Sequence, residues 1–592
     1  MDWRDFHGLG RITQAEVLVI GGGLAGAFAA LKAKEAGCEK VVLVEKGSFG
    51  NTGCSSFAAG VLNPFIPEED EYDSWFETWV RQNDYLIDQD ILRVYLEEAH
   101  VGVREMDRWG VQFVKKDGKL ERLVGRGADP SKPVTKGTKG VMFRGGSQMM
   151  GAVVRQVVGK GVEVVNRVML TDLLTSGDRV AGAVGFDTRS GDVLIFNAGA
   201  TVLATGGLAF KDGYHATKNL TGDGHAMAYR AGVELMSYEF MPQHLMTRDL
   251  DILGFNMFVG QGARFTNGLG ERFLAEYDPI LAERTSIGKL ALAVTLEHEA
   301  GRGPVYLDMT HFATEQVRRL REVLPLFALI ADRAGVMVGD RVAEKLELLP
   351  CLYGNVSRGG GVRVLNDRFE TSLPGLYVAG PGAASPRAGS ALTECPVSGA
   401  RAGRSAARFA KADGSPVVGA EQVKEMVAWA LEPLRKKDGI EPDVVVTCLQ
   451  EAILPSRIVA LLDEEKIQVA LREIERLRTV ELPRLFAYDA HYLRMANEAR
   501  NMVLCTELWL RCASVRKESR PEPGFWREDY PYVDNVDWLA WTTVKKNESG
   551  PSIGILPVPI ESYRLKPERR DRVKLDMFET ARKRGRCGRI TN

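Results

Sequence analysis

The chain has 592 residues, 45% hydrophobic and 26% charged, with a formal net charge of −1 at pH 7. That length holds several domains around a large core, and a near-zero charge argues against nucleic-acid partners. No apolar run reaches the ~18 residues of a membrane helix, the start Met1-Asp-Trp-Arg-Asp5 has no signal core, and eight cysteines without a C-x-x-C pair exclude a metal cage or a disulfide framework. A cytoplasmic protein with reduced thiols, no metal site and no iron–sulfur cluster of its own is expected.

The first predicted element is a buried strand, Val17-Leu-Val-Ile20, ending in Gly21-Gly-Gly23-Leu-Ala-Gly26. A helix of small residues follows to Ala36, then a second apolar run from Val41 that ends at Glu45. Each glycine has its own steric reason: Gly21 for a tight turn, Gly23 for approach to a pyrophosphate, Gly26 for close packing of helix on sheet. The phosphates belong at the helix N-terminus, where N–H groups have no helical partner. Glu45, with Lys46 beside it, stands where an acid takes a ribose hydroxyl.

Next, Gly50-Asn-Thr-Gly-Cys-Ser-Ser-Phe-Ala-Ala-Gly60 is rich in small and hydroxyl residues, as expected where backbone lies against a planar ring. Asn51, Thr52, Ser55, Ser56 and Gly60 are therefore candidate cofactor contacts, a plain polar loop being the alternative. Residues 68–110 have helical periodicity, 125–140 form an exposed excursion, and a helix runs from Arg144 to Val158. Short strands are predicted over 162–165, 169–174, 180–187 and 193–197. Another buried strand, Ala200-Thr-Val-Leu-Ala, ends at Thr205-Gly206-Gly207. Two glycine-rich strand ends so far apart suit FAD better than NAD. Thr221-Gly-Asp223-Gly opens a further helix, and amphipathic helices such as 315–331 fill the segment up to about 350. Gly375-Leu-Tyr-Val-Ala-Gly380 is again a strand meeting glycine, and a small-residue helix begins at Val397. Residues 416–518 read as helical, with Ile467, Val469, Ala470, Leu471, Ile474 and Leu477 as a bundle face.

These segments carry a family resemblance. Gly21–Gly26, Gly206-Gly207, Thr221–Gly224, Glu239–His244, Asn267–Phe273, Gly375–Gly380 and Arg516-Lys-Glu-Ser-Arg520 with Trp526–Pro531 resemble the flavoprotein subunit of succinate dehydrogenase and fumarate reductase. Relatives in that group are L-aspartate oxidase, soluble fumarate reductases and adenylylsulfate reductase alpha subunits. The resemblance implies an α/β fold: a Rossmann-like FAD-binding domain (1–240 and 351–415), an inserted α+β capping domain (241–350), a C-terminal helical domain (416–540) and a basic extension (541–592). It implies a substrate held between cap and flavin, with Thr205, Gly206, Gly207, Thr221, Asp223, Gly380 and Val397 completing the FAD pocket.

Departures from the family matter as much. Cys54 and Ser55 occupy the stretch where a histidine carries covalent flavin in some members, so FAD is expected to be bound non-covalently. The family's catalytic arginine falls on Ile287, and its charged relay reads Val259-Gly-Gln261-Gly-Ala263. Arg284, or Lys289, is the candidate substitute. His244 matches the family's substrate-carboxylate histidine, while Arg358 and Arg387, each near glycines, are candidate anion clamps. A solvated or structural role is the alternative for each.

From Arg564 to Asn592 eleven Lys/Arg face four Asp/Glu. This excess is read as either a solvated tail or a dock for an acidic, ferredoxin-like iron–sulfur subunit. The function expected is an FAD-dependent oxidoreductase, the catalytic subunit of a soluble complex acting on a small anionic substrate at flavin N5. The alternative is an electron-transfer flavin subunit that has lost fumarate/succinate chemistry.

Overall fold

The computed structural model describes residues 8–124, 139–212, 215–241, 243–248, 250, 255–352, 359–384, 391–414, 416–454, 458 and 460–585. At its centre is a seven-stranded sheet. Its strands are β1 (Arg11–Ile20), β2 (Val41–Glu45), β3 (Glu163–Asn166), β4 (Val168–Ser176), β5 (Arg179–Asp187), β6 (Val193–Leu203) and β7 (Leu376–Val378). The order is β3-β2-β1-β6-β5-β4, with β7 also on β6. β3, β2, β1, β6 and β7 run parallel, whereas β5 pairs antiparallel with both neighbours.

The two strands expected over 193–197 and 200–204 are one. β6 pairs with β5 through Val193–Asn197 and with β7 through Thr201–Leu203. Its change of neighbour midway accounts for the break in the sequence pattern. Residues Val17, Leu18 and Val19 of β1 are fully buried on both faces, as a central parallel strand requires.

Helix α1 (Leu24–Glu35) follows β1, and α2 (Asp223–Arg230) opens after Gly222 at φ +73°. The intervening four-stranded cap sheet is antiparallel, in the order Gln243–Thr247, Leu346–Leu352, Val305–Asp308, Arg264–Thr266. Helix α3 (Ile287–Glu299) lies in the cap's apolar cluster with Leu290, Leu292 and Val294 fully buried. The predicted helix over 315–331 is two, Thr314–Val323 and Pro325–Arg333: proline at the first position of the second starts a new helix.

After the cap, α4 (Ala391–Asp413) packs back against α1. A Cβ on Gly399 would lie 2.2 Å from the Ala25 carbonyl oxygen, and one on Gly403 would lie 2.2 Å from that of Ala29. The two backbones therefore touch, and only glycine fits there. Helix α5 (Ala490–Val515) runs among the helices Pro442–Ile453 and Glu464–Arg476. On the last of these Ile467, Ala470 and Ile474 are buried, but Val469, expected on the same face, is 51% exposed.

The segment after 540 is built into the fold. Ala540–Asn547 and Gly550–Pro557 form a hairpin that extends a five-stranded sheet through Leu235–Met236. The chain closes with Arg572–Lys574 pairing on Tyr532–Asp534 and with α6 (Asp576–Lys583).

Arg516 joins these parts. Its side chain is fully buried, with Nε donating to Glu239 Oε1 at 2.5 Å and Nη1 to Glu518 Oε1 at 2.6 Å. Arg520 Nε also donates to Glu518 Oε1 at 2.6 Å, and Thr542 Oγ1 donates to Glu239 Oε2. Such a network stabilises only while complete, because a lone buried charge has no water to solvate it. Glu239→Ala should cost about 3–5 kcal/mol, read as a fall in the denaturation midpoint; a shift below ~1 kcal/mol, the range of surface pairs, would show the network to be solvated.

Candidate functional site

The parallel strands β1, β6 and β7 place their carboxyl ends side by side, and each ends in glycine: Gly21, Gly206 and Gly380. In open α/β sheets this is where a ligand crevice forms. Gly21 has φ +108°, and a Cβ there would lie 2.3 Å from the Ala204 carbonyl oxygen. A Cβ on Gly26 would lie 1.9 Å from the Gly21 carbonyl oxygen, so α1 starts in backbone contact with the turn. Around Gly23 the space is open, its virtual Cβ meeting only Ser55 Oγ at 3.5 Å. The glycines thus leave a cradle lined by backbone at the N-terminus of α1, which fits a pyrophosphate.

The loop after β2 closes over this turn. Gly22 N donates to Glu45 Oε2 at 2.6 Å, and Gly47 N to Glu45 Oε1 at 2.9 Å. Leu24 N donates to Ser55 Oγ at 3.1 Å, and Ser56 Oγ donates to the Thr52 carbonyl at 3.2 Å. Asn51 stays local, its amide 3.4 Å from Ser48 Oγ. Gly60 pairs through its carbonyl with Phe143 N at 2.9 Å. Burial pushes the Cys54 thiol up to about 12, so it stays protonated. His215, which sequence reading overlooked, packs edge-on to Phe57 with ring centroids 4.8 Å apart.

On the far side, a Cβ on Gly224 would lie 2.2 Å from Thr205 Oγ1, bringing α2 onto the end of β6. Gly207 is buried there too. Gly380 N donates to Ser398 Oγ at 2.9 Å, and Val397 beside it is buried in α4. His225 also buttresses this edge, with Nδ1 3.0 Å from the Tyr238 hydroxyl and Nε2 3.1 Å from the Gly382 carbonyl. The Gly382 carbonyl can only accept, so a neutral His225 carries its proton on Nε2 and Nδ1 accepts from the Tyr238 hydroxyl; burial raises Tyr238 well above its ordinary value and keeps that hydroxyl protonated.

Lys46, Thr221 and Asp223 meet in one cluster. Lys46 Nζ donates to Thr221 Oγ1 at 2.9 Å and to Asp223 Oδ2 at 2.7 Å, and lies 2.8 Å from Glu498 Oε1. Lys211 and Arg494 reach the same Glu498 carboxylate at 2.6 and 2.7 Å. Burial opposes its charge, yet the three cations hold Glu498 far below the usual carboxylate range. Asp223 and Glu498 in turn raise Lys46 against the pull of burial. Lys211, Arg494 and Glu498 were missed because nothing local marks them: Glu498 reads as one more charge on a helix until α5 docks.

The anion candidates divide. His244 lies on the edge strand of the cap sheet, opposite Cys351, half-buried, with Nδ1 2.9 Å from Leu245 N. Arg284 is half-buried in the short turn Ala282–Arg284 just ahead of α3, and among the described residues its guanidinium has no hydrogen-bond or ion-pair partner. Lys289, in the first turn of α3, lies 3.6 Å from Asp278 and 3.4 Å from Glu522. Arg358 and Arg387 lie outside the described residues. Of the two relay positions, Val259 is buried in the cap's apolar cluster, while Gln261 is half-buried, its backbone carbonyl accepting from Gln316 Nε2 at 3.0 Å; Ile287 packs at the cluster's margin.

Defined by fold and crevice, this is a dinucleotide-binding flavoprotein with an inserted cap. A profile described as "FAD binding domain" matches residues 16–391, and one described as "Fumarate reductase flavoprotein C-term" matches 451–572. The chain belongs to the FAD-binding family of succinate dehydrogenase and fumarate reductase flavoprotein subunits, and it is an FAD-dependent oxidoreductase. It is 29% identical to a CoM/CoB fumarate reductase subunit of Methanothermobacter marburgensis, over 88% of this chain and 95% of that one. It is 28% identical to the fumarate reductase flavoprotein subunit of Haemophilus influenzae, over 92% and 94%. Among solved structures, Escherichia coli quinol fumarate reductase shares the fold at TM-score 0.81 and 21% identity, covering 95% of this chain and 99% of that one. Adenylylsulfate reductase of Archaeoglobus fulgidus does so at 0.79 and 20%, covering 94% and 97%.

Two outcomes test this site. Gly26→Ala should abolish stable FAD binding, since the added methyl occupies the Gly21 carbonyl; retention of a full complement of flavin, measured by its absorbance, would refute the close approach. Asp84, whose Oδ2 accepts from Glu522 N at 3.1 Å, is raised to about 7 by burial and then by Glu522. A raised carboxyl stabilises the fold while protonated, so this contribution is full below its unfolded value of about 4 and lost as pH rises through about 7. Asp84→Asn should flatten the stability–pH curve over that window, as followed by urea denaturation.

Proposed function

We propose that the protein transfers a hydride between FAD and a small anionic substrate held where the cap meets the flavin, as the catalytic subunit of a complex that includes an iron–sulfur protein. The observation that carries this reading is Arg284: a half-buried guanidinium with no partner among the described residues, at the opening of α3. A guanidinium without a carboxylate is costly to bury and fit to grip an anion with two parallel hydrogen bonds. The N-terminus of α3, a helix of thirteen residues, adds partial positive charge at the same place. Lys289 is less suited, because Asp278 and Glu522 already neutralise it.

FAD would be held by the glycine turn, Glu45 and the hydroxyl loop, and it supplies hydride chemistry at N5. The protein's own groups bind and orient the anion, and closing the cap keeps water out. The stretch from Lys46 to Asn63 holds no histidine and the Cys54 thiol is protonated, which supports non-covalent binding. The relative from Methanothermobacter marburgensis is named as a CoM/CoB fumarate reductase. In this chain, Ile287 and Val259 place apolar side chains, and Gln261 a neutral one, where the family resemblance implies charges. That pattern supports an anion other than fumarate, another enoate or a sulfur oxyanion. It equally favours the second reading, a flavin that only relays electrons.

Anoxic mixing separates the two. Flavin reduced with dithionite should be reoxidised by one member of a panel of fumarate, other enoates and sulfur oxyanions; reoxidation by none of them leaves the relay. Arg284→Ala should then raise KM for the active anion by about 10- to 100-fold, the loss of a charge-assisted contact of roughly 1.5–3 kcal/mol, with FAD content unchanged. An unchanged KM removes Arg284 from the site. Acid precipitation should leave all the flavin in the supernatant, whereas a yellow pellet would mean a covalent link.

A further inference from the structure

Most of the C-terminal cations among the described residues are already engaged within the chain. Arg564 pairs with Asp73 at 2.7 Å, Lys566 with Glu561 at 2.8 Å, and Arg572 with Asp534 at 2.8 Å. What this segment does is set by where it is fastened.

It begins on the FAD-binding side. Leu565 N donates to Gln89 Oε1 at 3.0 Å while Gln89 Nε2 donates to the Leu565 carbonyl at 2.7 Å, a closed pair at the start of the helix Gln89–Arg108. It then pairs as Arg572–Lys574 with Tyr532–Asp534. It ends on the cap. Met577 and Phe578 of α6 are 5% and 4% exposed within the cap's apolar cluster, and the Phe578 ring meets that of Trp526 at 5.9 Å. Arg584 then enters a carboxylate nest on the cap, 3.0 Å from Glu297 and 2.9 Å from Glu271, with Glu276 as a third partner. Its carbonyl accepts from Arg302 Nη1 at 2.6 Å. Burial opposes the charge on Glu297, but hydrogen bonds from Arg302, Arg584 and Asn267 hold it at about 2. The nest is therefore ionised throughout the neutral range.

The cap's covalent attachment lies elsewhere. The chain enters the cap at the strand Gln243–Thr247 and leaves it at Leu346–Leu352, and these strands are neighbours with Gln243 opposite Leu352. Entry and exit side by side make one hinge rather than two separated supports. Trp526, whose Nε1 donates to the Gly288 carbonyl at 3.2 Å, and Glu522 beside Lys289 hold the start of α3 from outside the cap, and the C-terminal segment adds a further fastening.

We propose that residues 564–585 form a strap that fastens the cap to the FAD-binding side, so that the cap opens only when α6 and Arg584 leave the cap surface. The anchor combines two small apolar contacts, Met577 and Phe578, with the Arg584 nest. On release the exposed Glu271 and Glu276 are rehydrated and the buried Glu297 keeps Arg302 and Asn267 as partners, so release is reversible. The strap's role is independent of which anion the site takes.

The test uses the full-length, FAD-loaded protein with Phe578→Ala and Arg584→Ala combined. Hydrogen exchange in the cap strands 243–247 and 346–352 should speed by about tenfold or more, the factor for ~1.4 kcal/mol of lost closure. Iodide should quench flavin fluorescence more strongly, while exchange in β1 and β6 stays as in the wild type. As a second arm, a specific protease site inserted between Lys574 and Leu575 lets the folded holoprotein be cut, and the same changes are expected. Unchanged cap exchange, or acceleration that is equal in the cap and in β1 and β6, would overturn the strap. If the double variant does not fold, the cut protein decides by the same two criteria.

Discussion

Close contact between backbones is the constraint on which the rest of this molecule depends. At Gly26 the start of α1 rests on the Gly21 carbonyl, and at Gly399 and Gly403 α4 rests on the backbone of α1 at Ala25 and Ala29. No side chain intervenes, so the helices cannot slide without steric clash, and β1, β6 and β7 keep their ends level. The FAD crevice is a consequence of that rigidity. The helix N-terminus, the turn after β1 and the loop held by Glu45 and Ser55 are positioned by contacts that tolerate no added methyl group. A cofactor site built this way needs few charged side chains of its own.

This is also why the FAD-binding half can be read from the chain. Backbone contact demands glycine at fixed positions, and a buried parallel strand demands an uninterrupted apolar run, so both leave local traces at Val17–Gly26, Ala200–Gly207 and Gly375–Gly380. In the C-terminal half the helices leave a pattern, but the charged contacts leave none. Arg584 meets Glu297 across nearly 290 residues of chain and Arg516 meets Glu239 across 277, and a charge that finds its partner only after folding looks like any surface charge. The same limit hid Lys211, Arg494 and Glu498, and it made the segment after 564 look like a spare basic tail. Hydrophobic periodicity misplaced Val469 for a related reason: the face a helix buries is chosen by what packs on it.

The chain thus uses two kinds of joint. Within the FAD-binding part, α1 and α4 meet backbone to backbone. Between parts, ionic contacts are added to apolar ones: Arg516 with Glu239, Lys46 with Glu498, Lys289 with Glu522, Arg584 with three glutamates. Fully buried pairs such as Arg516–Glu239 lock their parts, because separation would strand a charge. Half-exposed pairs such as Lys289–Glu522 and Arg584–Glu276 part at lower cost, because water replaces the partner.

The loss of charge at positions 259, 261 and 287 takes on a physical meaning in this fold. Val259 is inside the cap's apolar cluster and Ile287 lies at its edge, whereas Gln261 keeps a neutral polar side chain, so no ionic relay runs through this segment. Under the proposed function, recognition of an anion and delivery of a proton, joined in one relay by the family resemblance, are separable tasks, with Arg284 assigned to the first.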